Sequence, residues 1–223
     1  MLLYHGSENI IFKPVFGKGN SKNDYGKGFY CTESVDIAGE WACKRGVSGY
    51  INSYELDTKG LNVCNLNDPE YNILNWLAVL TKNRGYWQKN SIAEEAKDYL
   101  QEHYLIDILA YDIVIGYRAD DSYFSFAQDF IMGTLSLRKL SEAMSLGKLG
   151  EQVVLKSEKA FEHIEYLNNS PAEADVYYSK KVSRDMEARR AYADSKQTSD
   201  TVDDIYMLDI LRGRVKDDDL RIR

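Results

Sequence analysis

The chain has 223 residues, 44% of them hydrophobic, which is enough to bury a core and too apolar for a disordered chain. A net charge of −7 and a pI near 5.1 argue against a protein built mainly to grip nucleic-acid phosphates, though a local basic patch leaves room for a nucleic-acid substrate. No apolar run reaches the ~18 residues of a membrane span, the opening lacks a signal-peptide pattern, and three cysteines at 31, 43 and 64 lack metal-site spacing. They read as small buried hydrophobes in a reducing cytoplasm.

Leu2 to His5 reads as a first strand, delivering His5 and Gly6 at its end. A polar loop with Pro14, Gly17, Gly19 and Asn23 follows, then Gly26-Lys27-Gly28-Phe29-Tyr30. Val35, Ala38, Trp41 and Ala42 are spaced for a helix over 34–44. Residues 50–57 alternate as a strand, and 60–66 read as another. Pro69 opens a helix through Trp76 and Leu80 to Arg84, with Gly85 closing it. Ser91, with Glu94 three residues on, starts a helix to Tyr104.

Residues 111–116 form an apolar strand ahead of Asp120 and Asp121, and helices fill 122–131 and 136–145. A Gly-Lys-Leu-Gly turn precedes a strand at 151–155, a helical turn follows at 157–160, and a last strand covers 164–167. Ser170-Pro171 reads as the N-cap and first residue of a long polar helix. Its Lys180, Lys181, Arg184, Arg189 and Arg190 read as a solvated face, because acidic residues interleave. The helix breaks at 196–200, and 203–211 is a final amphipathic helix. The fold class is α+β, with residues 1–168 as the core and 169–223 as a C-terminal helical extension.

His5-Gly6-Ser7, then Gly26-Lys27-Gly28-Phe29-Tyr30 with Thr32, then Glu151-Gln152-Val153-Val154-Leu155 stand in a fixed order. In that order they resemble ADP-ribosyltransferases of the diphtheria-toxin and poly(ADP-ribose) polymerase type, marked by a His, a Tyr and a Glu on three strands. The whole chain looks like a bacterial family of uncharacterised ADP-ribosyltransferase-like domains. The resemblance implies a split mixed sheet with flanking helices and NAD as substrate. It implies transfer of one ADP-ribose, a pentosyl transfer, to a macromolecular acceptor. Some relatives look like toxins encoded beside a small antitoxin, which implies such a partner.

The same resemblance implies that His5 bonds the adenine-side ribose and that the Gly6 backbone pairs with the nicotinamide amide, helped by Ser7. Tyr30 would lie against the nicotinamide and Trp41, eleven residues on, would cover its other face, with Gly28 and Thr32 in the pocket wall. The family's serine eight residues after the tyrosine is Ala38 here. The acid position is open: Glu151 completes the triad, whereas Gln152 positions ribose without charge, and successive strand residues face opposite ways. No metal is expected. Asp112, Asp120 and Asp121 read as loop and cap residues or as shaping an acceptor loop. The alternative is an inactive NAD- or ADP-ribose-binding module, or a protein-interaction domain, on the same fold.

Overall fold

The computed structural model describes residues 1–84, 91–119, 121–146, 150–215 and 219. Among these the chain is α+β, with seven strands in two sheets and eight α-helices. Gly85, Asp120, the Asp121 side chain and the turn at 147–149 lie outside the described residues. No described helix is long and apolar enough to cross a membrane.

The chain divides into two compact units, the first comprising 1–65, 107–118 and 149–184. It holds both sheets. β1 (Leu2–Ser7), β3 (Gly49–Leu56) and β7 (Ile164–Ala172) form one, in the order β1-β3-β7. β2 (Phe29–Cys31), β6 (Glu151–Leu155), β5 (Ile113–Tyr117) and β4 (Val63–Asn65) form the other, in the order β2-β6-β5-β4. Only β4 and β5 run parallel, so the second sheet is mixed. A core of Leu3, Phe29, Cys31, Tyr54, Leu56, Ile113, Val153 and Leu155 joins residues of both sheets. The alternation of apolar residues along β2 and β6 supplies its inward face.

One backbone pair links β1 to the residue after β2: Tyr4 and Thr32 exchange backbone hydrogen bonds at 2.8 and 2.9 Å. Helix α1 (Val35–Ala42) starts where the Ser34 hydroxyl accepts from the Ile37 N–H, and it lies on β1 and β3. Its approach is very close, since a Cβ on Gly6 would stand 1.8 Å from the Ala38 carbonyl oxygen. No other residue fits at position 6 without moving the helix.

Ser170-Pro171 does not open a helix. Both residues belong to β7, an edge strand, where a proline can sit because one side of the strand carries no ladder. The 168/169 boundary falls within this strand. Helix α7 (Ala174–Gln197) begins after it, and residues 174–184 belong to the first unit. There Lys180 pairs with Asp36 and Arg184 with Glu40. Acids and bases are both spaced four residues apart, so this stretch is partnered along α1 rather than merely solvated.

The second unit, 66–106, 119–148 and 185–223, is helical. It contains α2 (Ile73–Asn83), α3 (Ser91–His103), α4 (Asp121–Ile131), α5 (Leu137–Leu146) and α8 (Met207–Leu211). Asn72, not Pro69, starts α2: its side chain accepts from Leu74 N–H while Asn75 reaches back to Asn72 N–H. Trp76, Leu80, Leu100, Phe126 and Phe130 fill its core, and Tyr192 stacks on Phe126 with centroids 3.8 Å apart. The expected helix over 203–211 is shorter. Asp204 is consumed as an acceptor from Arg138, Ser136 and the Thr201 N–H, which holds its segment outside the helix.

Candidate functional site at the junction of the two sheets

β1 carries His5 to the junction. His5 Nδ1 lies 2.7 Å from the Tyr30 carbonyl oxygen, which can only accept, so Nδ1 bears the proton and Nε2 is left as an acceptor. Burial of the ring, partly offset by that carbonyl, lowers the imidazole below its ordinary value of 6.5. His5 is therefore neutral at pH 7. Its ring packs on Phe29, centroids 4.5 Å apart, so its bond to Tyr30 is to backbone and not to the phenol.

The edge of β1 beside His5 has its own polarity. Tyr4 turns its N–H and C=O away from β3 toward Thr32, and backbone groups two residues on point the same way. Gly6 thus presents one donor and one acceptor along the edge of β1 facing the junction. Ser7 is committed elsewhere: its hydroxyl donates to Asn9 O at 2.6 Å and accepts from Asn52 at 3.0 Å. Asn52, wholly buried, also accepts from Ile11 N–H and donates to His5 O, so one amide shapes the turn after β1.

Residues paired across an antiparallel ladder share a face, so Tyr30 and its partner Val154 lie on one side of the second sheet. Gln152 lies on that same side and Glu151 on the other. The burial agrees, Gln152 being 4% exposed and Glu151 open to solvent. Gln152 Nε2 donates to Asp24 Oδ2 at 2.8 Å. Tyr30 donates its hydroxyl to Gly26 O at 2.6 Å and accepts from Tyr25 N–H at 3.1 Å. Gly26 takes a left-handed φ of 71°, and a Cβ on Gly28 would meet the Val154 side chain at 2.6 Å. These glycines let the loop turn and press onto β6. The α-carbon of Gly28 faces protein.

Lys156 reaches into the loop and donates to the Tyr25 and Lys27 carbonyls; burial pulls its ammonium down to about 8. Thr32 is buried, its hydroxyl accepting from Ser34 N–H at the start of α1. Trp41, on α1, carries the Arg118 guanidinium 5.1 Å from its ring centroid. Ala38 is fully buried under Gly6. Asp112 lies apart from the junction, accepting from Asn62 N–H and the Ser157 hydroxyl, which together hold it below the usual carboxylate range. Among the described residues no cluster of three His, Cys, Asp or Glu side chains converges to hold a metal.

The junction therefore brings His5 Nδ1 to the Tyr30 backbone carbonyl beside the Gly6 edge, while the His5 ring packs on Phe29 and the Tyr30 and Gln152 side chains lie on the opposite face of the second sheet. Ser7, Gly28 and Glu151 are turned to other partners or to solvent. Sequence reasoning missed Asp24, Asn52, Arg118 and Lys156. Lys156 had a signal, since it shares the parity of Gln152 and Val154 on β6; Asp24 and Arg118 had none, being loop residues. A hollow of ≈ 600 Å³ opens at the far end of β3, lined by Met1, Glu55, Asp57, Glu162, His163 and Glu165. Its four carboxylates repel an anionic ligand.

Residues 1–166 match the profile of a family described as protein of unknown function, DUF3990, and the chain belongs to that family. The match runs from β1 into β7 and includes every residue gathered at the junction. No curated protein and no solved structure matches the chain.

Proposed function

We propose that this protein is an NAD-dependent mono-ADP-ribosyltransferase, built on an ADP-ribosyltransferase-like split sheet. It would cleave the nicotinamide–ribose bond and pass ADP-ribose to a macromolecular acceptor. The observation that supports the reading is the bond between His5 on β1 and the Tyr30 backbone on β2, with Gly6 on the same edge of β1 and Gln152 on the face of the second sheet that carries Tyr30. The chemistry of each group suits the task. A neutral His5 offers Nε2 to a ribose hydroxyl. A backbone edge with one donor and one acceptor complements a carboxamide, which has one of each. Trp41 already accommodates a planar cation on its face, as a pyridinium requires. A cytoplasmic toxin role beside a small antitoxin protein belongs to the same proposal.

Labelled NAD incubated with the protein and cell lysate is expected to label an acceptor. His5→Ala and Tyr30→Ala are expected to cut labelling by about 100-fold or more, as loss of a substrate-orienting or charge-stabilising group does. Absence of label and of nicotinamide release with wild-type protein would overturn the assignment.

A second reading, an NAD- or ADP-ribose-binding module without turnover, is favoured by one observation: the buried β6 residue on the Tyr30 face is an amide and the adjacent acid is exposed. Calorimetric binding of NAD without nicotinamide release would select it.

A further inference from the structure

Between β1, which carries His5, and β2, which carries Tyr30, residues 8–28 contain neither helix nor strand. Loops of that length in a compact unit are uncommon and usually functional. This one is anchored at several points. Tyr54 donates its hydroxyl to Ile11 O, and Asn52 accepts from Ile11 N–H. Gly19 presses on Gly28 so closely that a Cβ on it would meet the Gly28 carbonyl oxygen at 2.4 Å. Pro14 is buried, whereas Phe12 is 65%, Val15 51% and Phe16 46% exposed. Phe12 leans on Tyr166 and Phe16 on Phe161, edge to face with centroids 5.1 and 5.6 Å apart, so both rings are fixed in place. A run of apolar side chains displayed on a fixed loop marks a contact surface.

The same loop is basic in an acidic chain. Lys13, Lys18, Lys22 and Lys27 are exposed, and none of their ammonium groups is bonded or ion-paired among the described residues. Between Glu8 and Glu33 the one acid is Asp24, which is buried, and Glu8 itself pairs with Lys44. The turn from Val15 to Lys18 sets Lys18 close to Phe16. The Gly19–Gly28 contact brings Lys18 and Lys27, which precede those glycines, to one end of the loop. Fixed rings among unpaired cations match a nucleic-acid single strand, whose bases stack while its phosphates take the ammonium groups. A duplex groove is read by a helix or a ribbon, and this loop offers neither. A membrane anchor sinks its side chains into lipid, whereas these rings are held against the protein.

We propose that loop 8–28 docks a single strand of nucleic acid, with Phe12 and Phe16 stacking on bases and the four lysines holding phosphates, and that this strand is the acceptor. The acceptor role, unlike the docking, rests on the transferase reading. Ring contacts run from Phe16 through Phe161 and Phe29 to His5, centroids 5.6, 6.2 and 4.5 Å apart, so the platform is continuous with the packing at the junction. An amino group of an unpaired base gives its electron pair to C1′ and its proton to water. Nicotinamide leaves neutral, with both electrons of the broken C1′–nitrogen bond.

The test uses the full chain and a fluorescent mixed-sequence oligonucleotide of about 20 nucleotides, alone or annealed to its complement, with binding read by anisotropy across a salt series. The single strand is expected to bind about tenfold or more tighter than the duplex, with a slope of log affinity against log salt of about −3 for four phosphates. The joint variant Lys13→Gln, Lys18→Gln, Lys22→Gln and Lys27→Gln is expected to lose about tenfold or more in affinity and most of that slope. Phe12→Leu with Phe16→Leu keeps apolar packing and removes the rings; affinity is expected to fall about fivefold or more with the slope unchanged. If the leucine pair does not fold, the lysine variant and the preference for a single strand decide. No binding, equal binding of duplex, unchanged affinity in either folded variant, or binding of phosphatidylserine vesicles in place of the oligonucleotide overturns the docking surface. Nicotinamide release from NAD is measured in parallel. Release without oligonucleotide binding overturns the docking while the transferase reading stands. Binding with the expected losses but no release upholds the docking and overturns the transferase reading with the acceptor role. Binding and release without ADP-ribose on the strand overturns the acceptor role alone.

Discussion

Lys156 shows how a single side chain can trade charge for position. Its ammonium is drawn among the Tyr25 and Lys27 carbonyls, and burial lowers it from 10.5 to about 8. Below pH 8 the folded and unfolded chains both hold the proton, so the burial penalty is fully present. Between pH 8 and 10.5 the folded chain has shed a proton that the unfolded chain still binds, and stability rises with pH. Urea midpoints of wild type and Lys156→Met are therefore expected to diverge in favour of wild type across that window. The tyrosines and Cys31, raised by burial, act in the opposite sense, but they are common to both proteins and cancel in the difference.

Packing of α1 onto the first sheet depends on an absent side chain. A Cβ at position 6 would be 1.8 Å from Ala38 O and 2.7 Å from Ala42 N, both backbone atoms of the helix. Gly6→Ala is expected to destabilise the fold by about 1–3 kcal/mol. Thermal denaturation should show a melting point lower by about 2–4 °C for each of those kcal/mol. Most elements were legible because their signals are local. Ser34 caps α1, the β6 alternation puts Gln152 on the face opposite Val153 and Leu155, and Ser157 caps the short helix α6 (Glu158–Glu162). The misreadings came where a distant partner decided the matter. Pro171 pairs with Tyr50 in β7 instead of opening a helix, and Asp204 answers to Arg138 rather than to its own helical neighbours. The resemblance named His5, Gly6, Tyr30 and Gln152, but local pattern carries no trace of Asp24, which meets its amide 128 residues later.

For the molecule as a whole, acidity sets the lower pH limit. The net charge is −7, and key carboxylates are engaged as acceptors. Burial pushes the Asp204 carboxyl up, but hydrogen bonds from Arg138, Thr201 N–H and Ser136 outweigh it and hold the group far below its ordinary 3.8. The stability this represents is complete above the ordinary value and is lost as pH falls toward the lowered one. Asp204→Asn removes a well-bonded carboxylate but leaves Arg138 half-exposed and still paired with Glu142, at an expected cost of about 1–3 kcal/mol at pH 7. The difference from wild type should shrink as pH drops below about 4, as acid-titration calorimetry would read.

The pairing of Tyr4 with Thr32 has a mechanical consequence. One backbone rung and the His5–Tyr30 bond join β1 to β2, so little main-chain pairing fixes the angle between the two strands. Rotation of β2 about that rung would carry the Tyr30 carbonyl with it, and the carbonyl dictates which imidazole nitrogen keeps the proton. Small tilts of one sheet against the other would thus be felt first as a change in what His5 can accept, before any side chain moves.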